Sequence, residues 1–187
     1  MVASGNAEAA GFRDASEWEE WLAKNHGLEA GLWLKIAKKG SGKIALGISD
    51  ALDVALCYGW IDSQRKSFDH AFYLQRYSPR RPKSPWSRIN VDRAEALTEA
   101  GRMREPGLAE IRAAKMDGRW KVAYEPQRNI SVPPDFAAAL AKRIKAKRAF
   151  GLLDKTGRYA VLLPLLKATT EAVRAERIKK AIAKLES

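Results

Sequence analysis

Apolar positions change their spacing several times along the chain, and each change predicts an element. Trp18, Trp21 and Leu22 share one helical face, and Ser16-Glu17-Trp18-Glu19 before them fits the S-x-x-E capping box. His26-Gly27 supplies a stop. From Gly31 to Ala37 the period drops to two: Leu32, Leu34 and Ile36 alternate with Trp33 and Lys35, as in a strand. Lys38 to Lys43 reads as a turn. A helix capped by Ser49 or Asp50 follows, with Leu52, Ala55 and Leu56 inward and Gly59 at its end.

Two further strands are expected, Trp60 to Arg65 and Ala71 to Tyr77, joined by a polar turn from Lys66 to His70. Trp60, Asp62 and Gln64 share a face in the first. In the second, Phe72, Leu74 and Arg76 share one face, and Tyr73, Gln75 and Tyr77 the other. A proline-broken basic loop, Ser78 to Pro85, comes next. Asn90 is the expected cap of a helix reaching Gly101, and Pro106 opens another that ends near Gly118. Arg119 to Tyr124 reads as a short strand or extended segment, with Trp120 docked in the core and Arg119 the more exposed.

Val132-Pro-Pro-Asp135 is the clear linker signal, and the pattern beyond it is helical. Phe136, Leu140 and Ile144 recur every four residues. A helix is expected over Arg158 to Lys167 despite Pro164. Thr169 or Thr170 caps a last one with an Ile178, Ile182, Leu185 stripe. The fold class is therefore α+β: a flexible tail at 1–11, a core with a small antiparallel or mixed sheet flanked by helices at 12–130, and a basic helical domain at 134–187.

Composition sharpens this. The 187 residues carry 34 Lys+Arg against 22 Asp+Glu, a net charge of +12, which favours an anionic small molecule, an acidic protein surface or nucleic acid as partner. Residues 135–187 hold 13 of the cations and 5 of the acids. A Lys/Arg-rich helical surface also simply keeps a domain soluble. The single cysteine, Cys57, excludes an intrachain disulfide. No stretch reaches membrane-span length, and the N-terminus has no signal-peptide pattern, so a cytoplasmic location without membrane insertion is expected.

Candidate chemistry is sparse. Gly40-Ser-Gly-Lys43 lacks the upstream Gly and following Ser/Thr of a phosphate loop. Two histidines, His26 and His70, and one Cys make no metal set, and no cofactor is expected. No catalytic constellation is complete. Asp62, beside Trp60, is the one carboxylate placed to act as acid or base if burial raises its pKa. The alternative is a structural role, accepting backbone N–H bonds or pairing with an Arg.

Between Arg65 and Arg93, eight Lys/Arg face Asp69 and Asp92 alone, with Tyr73, Tyr77 and Trp86 interleaved. Basic residues among aromatics suit phosphate contact plus stacking. They equally suit Arg side chains lying over aromatic surface. The expected ligand site comprises Trp60, Asp62, Tyr73, Arg76, Arg80, Ser84, Trp86 and Asn90. Trp86 and Tyr73 would stack, the arginines would hold an anionic group, and Asp62 would orient them. Competing readings are nucleic-acid binding through the basic loop and C-terminal helices, and an enzyme centred on Asp62.

Several segments resemble the YdeI/OmpD-associated family, often labelled bacteriocin-protection. They are Trp21 to His26, Leu32 to Lys38, Ala51 to Asp62, Tyr77 to Arg81, Ser84 to Asn90, Gly101 to Met103, Asp117 to Trp120 and Arg174-Ala-Glu-Arg-Ile178. The family usually shows Gly where this chain has Ser63. The resemblance implies an association with tolerance to bacteriocins or antimicrobial peptides and brings no catalytic residues. With no catalytic constellation complete, a non-enzymatic binding protein is expected, and its role would be indirect, because a chain of net charge +12 disfavours encounter with cationic peptides.

Overall fold

The computed structural model describes residues 9–187. It contains eight α-helices and one three-stranded antiparallel sheet. The fold is α+β, as the changes of period imply. The residues form two compact units: one of residues up to Ser84 together with Arg93–Arg112, the other of Pro85–Asp92 and Ala113–Ser187. The segment from 113 to 130 thus belongs with the C-terminal helices. Most of the expected tail lies outside the described residues. Its end, Ala10, makes a parallel bridge to Leu34.

In the first unit, helix α1 (Ala15–Asn25) is capped by Asp14, whose carboxylate accepts from the Glu17 N–H. Glu17 in turn accepts from the Arg13 N–H. The cap therefore sits two residues before Ser16, because a carboxylate is present there to take the orphan donor. Strand β1 (Leu32–Ala37) buries Leu34 and Ile36, as its alternation requires. Helix α2 (Ile48–Cys57) starts at a Gly47 cap, earlier than Ser49 or Asp50, and the Ser49 hydroxyl instead accepts from Arg93. Gly59, at φ +74°, turns the chain into β2 (Trp60–Ser67). Strand β3 (Phe72–Pro79) pairs with both others, giving the order β1-β3-β2.

One face of the sheet is closed by aromatics. Trp18 stacks on Trp21 at 5.3 Å, and Trp60 meets both edge-on. Trp18 also packs 6.1 Å from Tyr77 of β3. The two buried indole N–H groups donate to the carbonyls of Ala51 and His26. Helix α3 (Arg88–Glu99) is capped by the Ser87 hydroxyl, which accepts from the Asn90 N–H, so Asn90 lies in its first turn. Helix α4 (Glu105–Met116) begins beside Pro106. At Gly107 it comes so close to the end of α2 that an added Cβ would lie 2.4 Å from the Cys57 carbonyl oxygen.

The second unit holds α5 (Pro134–Ala141), α6 (Ile144–Leu152), α7 (Lys155–Leu166) and α8 (Glu171–Glu186). Its core is Phe136, Leu140, Phe150, Leu162, Leu165 and Ile182. The four-residue spacing fails at Ile144, which is 86% exposed, because α5 stops at Ala141 and α6 starts on a new axis. Asp154 and Thr170 cap α7 and α8 with their side chains. Arg119 and Trp120 reverse their expected roles. Arg119 is buried and paired to Asp117, while Trp120 is half-buried and packs on Trp86 at 4.8 Å.

Candidate functional site

The register of the hairpin decides which side chains meet. Asp62 stands opposite Tyr77, but Arg65 stands opposite Gln75, so β2 holds one extra residue between them. Residues three apart in a strand normally point to opposite faces. The bulge cancels that and puts Arg65 on the face of Asp62, Tyr73, Gln75 and Tyr77. Ser63 within the bulge is exposed and does not have a positive φ, so a serine fits here without backbone strain.

On this inner face Asp62 is half-buried. Desolvation raises its pKa, against the pull of its own backbone N–H and of Arg65, Arg80 and Arg93. The Tyr77 phenol is fully buried, and its hydroxyl has no hydrogen-bond partner among the described residues. Burial, then the Asp62 charge, pushes its pKa upward. Arg65 donates to the Gln75 amide oxygen and lies 4.5 Å over the Tyr73 ring. Arg93 pairs with Asp53.

The sites expected from sequence scatter over this frame. Trp60 is wholly buried and serves the core. Asp62 and Tyr73 share the inner face, whereas Arg76, one residue before Tyr77, points to the outer one and donates to the Ala30 carbonyl. Arg80 is buried, with its backbone N–H on Gly59, and it acts on the Asp62 charge. Ser84 closes a turn by donating its N–H to Arg81. Within that turn Lys83 has φ 63° after Pro82, the type II geometry that usually calls for Gly. Trp86 and Asn90 belong to the second unit.

Beside Arg76, the outer face holds residues that the sequence pattern did not mark as a site. Trp33, Lys35 and Ala37 of β1 lie opposite Arg76, Leu74 and Phe72 of β3, and Lys66 of β2 is opposite Leu74. Each of these stays at least partly exposed. The Lys66 ammonium lies 4.5 Å from the Trp33 ring centre, and Lys35 lies 5.1 Å from that of Phe68. Among the described residues, no carboxylate pairs with Lys35, Arg65, Lys66 or Arg76. Asp69, nearest in sequence, is occupied by the Ala71 and Phe72 N–H groups, which lower its pKa. The alternation of Trp33 with Leu34 was a usable signal. Lys66 was not placeable without the bulge.

In the second unit the arginines of Arg174-Ala-Glu-Arg-Ile178 hold helix ends. Arg174 donates twice to Asp135 and once to the Leu165 carbonyl. Arg177 donates to the Pro164 carbonyl. Both therefore cap the last turn of α7, where the Leu165 carbonyl also accepts from the Ala168 N–H. No group of His, Cys, Asp and Glu able to hold a metal occurs among the described residues.

Residues 10–110, which contain the whole hairpin, match a family model described as a domain of unknown function, DUF8412. The chain belongs to the DUF8412 family. Residues 129–187 match a second model, described as Bacteriocin-protection, YdeI or OmpD-Associated. The Arg174–Ile178 segment that resembles that family falls within its match. The resembling segments between Trp21 and Met103 fall within the DUF8412 match. No curated protein and no solved structure matches the chain. No helix among the described residues is long and apolar enough to cross a membrane.

Proposed function

We propose that this DUF8412 chain is a non-enzymatic binding protein whose sheet takes up an anionic ligand bearing a flat ring, such as a nucleotide. One observation carries the reading: Lys35 and Lys66 lie over aromatic rings on an exposed face and face no carboxylate. A cation over a ring at an exposed site contributes only about 0.5–1 kcal/mol. A charge-assisted hydrogen bond contributes about 1.5–3 kcal/mol. An arriving phosphate therefore draws the ammonium off the ring, and the bared ring is left for stacking. Trp33, Lys66 and Arg76 form the centre of this site, and Lys35 its margin.

The test is a titration of the full chain with adenosine monophosphate, followed by calorimetry. Lys66→Ala should weaken binding by roughly three- to tenfold, and Trp33→Ala should do so without abolishing the fold. No measurable binding, or wild-type affinity in both variants, would reject the site.

A second reading, single-stranded nucleic acid, is favoured by the several cations on one face. It predicts that a short oligothymidylate binds more tightly than the mononucleotide, with affinity falling steeply as salt rises. The match at residues 129–187 supports placing this binding in bacteriocin tolerance. The role is indirect in our reading, because a chain of net charge +12 disfavours encounter with cationic peptides.

A further inference from the structure

The C-terminal unit has a cleft of about 620 Å³ between α6, α7 and α8. It lies within the size range of small-molecule sites, roughly 300–1,000 Å³. The cleft exists because its walls carry little bulk. Ala149 of α6, Gly157, Ala160 and Pro164 of α7, and Ala181 of α8 all line it, and Val161, Leu165 and Leu185 make it apolar. Gly157 to Pro164 is seven residue steps of helix, so the apolar trough is about 10 Å long at 1.5 Å per step.

The polar residues of this lining are all cations: Arg177, Lys180 and Lys184, at positions i, i+3 and i+7 of α8. That spacing sets them in a row along one side. Arg177 is half-buried and spends one N–H on the Pro164 carbonyl. Lys180 pairs with Glu176 at 3.6 Å, but both side chains are more than half exposed, so the pair is weak and exchangeable. Lys184 is exposed and has no carboxylate partner among the described residues. An apolar trough with one cationic bank and no lining acid is complementary to a molecule with an alkyl chain and a negative head. A neutral oil has nothing to gain from the bank, and a cationic amphiphile is repelled by it.

We propose that the cleft between α6, α7 and α8 binds an anionic single-chain amphiphile, a fatty carboxylate, with its chain along Ala160, Val161 and Leu185 and its head at Lys180 and Lys184. This site is independent of the sheet face and stands on different residues.

Calorimetric titration of the full chain with dodecanoate below its micelle concentration tests it. Saturable one-to-one binding is expected. The double variant Lys180→Ala/Lys184→Ala should weaken it by roughly three- to tenfold, a modest factor because both charges are exposed. Dodecyltrimethylammonium should bind at least tenfold more weakly than dodecanoate. Ala160→Phe, at an exposed helix position, should remove binding while the far-ultraviolet circular dichroism stays unchanged. The proposal is overturned if dodecanoate does not bind, if Ala160→Phe folds and binds as before, or if the two amphiphiles bind alike. Binding confined to anionic phospholipid vesicles, with none to monomeric dodecanoate, would also overturn it. Should Ala160→Phe fail to fold, the head-group variant and the cationic amphiphile decide the question alone.

Discussion

Replacing Arg174 by Met separates the two jobs of the arginine pair in α8. The side chain gives one N–H to the Leu165 carbonyl at 2.9 Å and a two-pronged contact to Asp135. A hydrogen bond from a charged donor to a partly buried carbonyl contributes about 1.5 kcal/mol. The Asp135 carboxylate is 43% exposed, so its ion pair is discounted by solvent to at most about 1 kcal/mol. Arg174→Met should therefore lower the stability of the α7–α8 pair by about 1.5–2.5 kcal/mol at pH 7. Because the chain has two compact units, a global melt would blur this. Amide hydrogen exchange read within α7 and α8 reports it locally.

The pH dependence gives a second check on the same variant. The Arg174 guanidinium first, and then the Phe136 N–H, hold the Asp135 pKa below the ordinary carboxylate value, against the opposing effect of burial. A depressed folded pKa gives stability that is present above the unfolded value, about 3.9, and lost as pH falls through the folded one. The gap between wild type and variant should thus narrow as pH falls from the unfolded value through the folded one, and leave only the Leu165 share. Arg174→Lys should fall between the two, since it keeps the charge and loses the fork. Exchange rates in α7 unchanged by Arg174→Met, or a gap equally wide in acid, would refute the capping role.

Two other outcomes follow from the first unit. Gly107→Ala puts a methyl 2.4 Å from the Cys57 carbonyl and 2.7 Å from that of Leu56, both backbone atoms, so α4 must move off α2. Urea denaturation should show a loss of about 2 kcal/mol, in the range of overpacked cores, and an unchanged midpoint would contradict the close approach. Burial pushes the Cys57 thiol up to about 11 from an ordinary 9.0. The raised value means that its stability contribution is complete below pH ~9 and is lost by pH ~11, about 3 kcal/mol in all. Thiol labelling at pH 8 should accordingly be slow in the native chain and fast in denaturant, and rapid native labelling would show that the thiol is not enclosed.

What could be read in the sequence was set by how local the cause is. Leu34 and Ile36 are buried because a strand alternates, and that alternation is visible in six letters. Thr170 caps α8 because its hydroxyl has a free N–H three residues on. Competition between local acceptors was harder to read: Asp14 displaced Ser16, and Ser87 displaced Asn90, since each pair offers two oxygens within reach of one helix start. Ile144 kept the spacing of Phe136 and Leu140 yet lies outside the core, because a spacing does not say whether one helix axis continues. The expected convergence of Asp62 and Arg76 rested on counting residues along strands. Neighbouring strand positions face opposite ways, and the site residues from Trp86 onward lie in another compact unit. The pairing of Lys66 with Trp33 needed the register of three strands at once.

The extra residue in β2 makes the hairpin asymmetric toward changes of length. Removing Ser63 or Gln64 would leave Arg65 opposite Gln75, and every pair beyond it as before, because the lost residue is the one without a counterpart. Adding a residue, or ironing out the bulge at full length, would instead carry Arg65 to the other side of the sheet and Lys66 inward. Length variation in this family should therefore run one way at this hairpin: a β2 one residue shorter that keeps the order of faces, and no longer one without a matching insertion in β3.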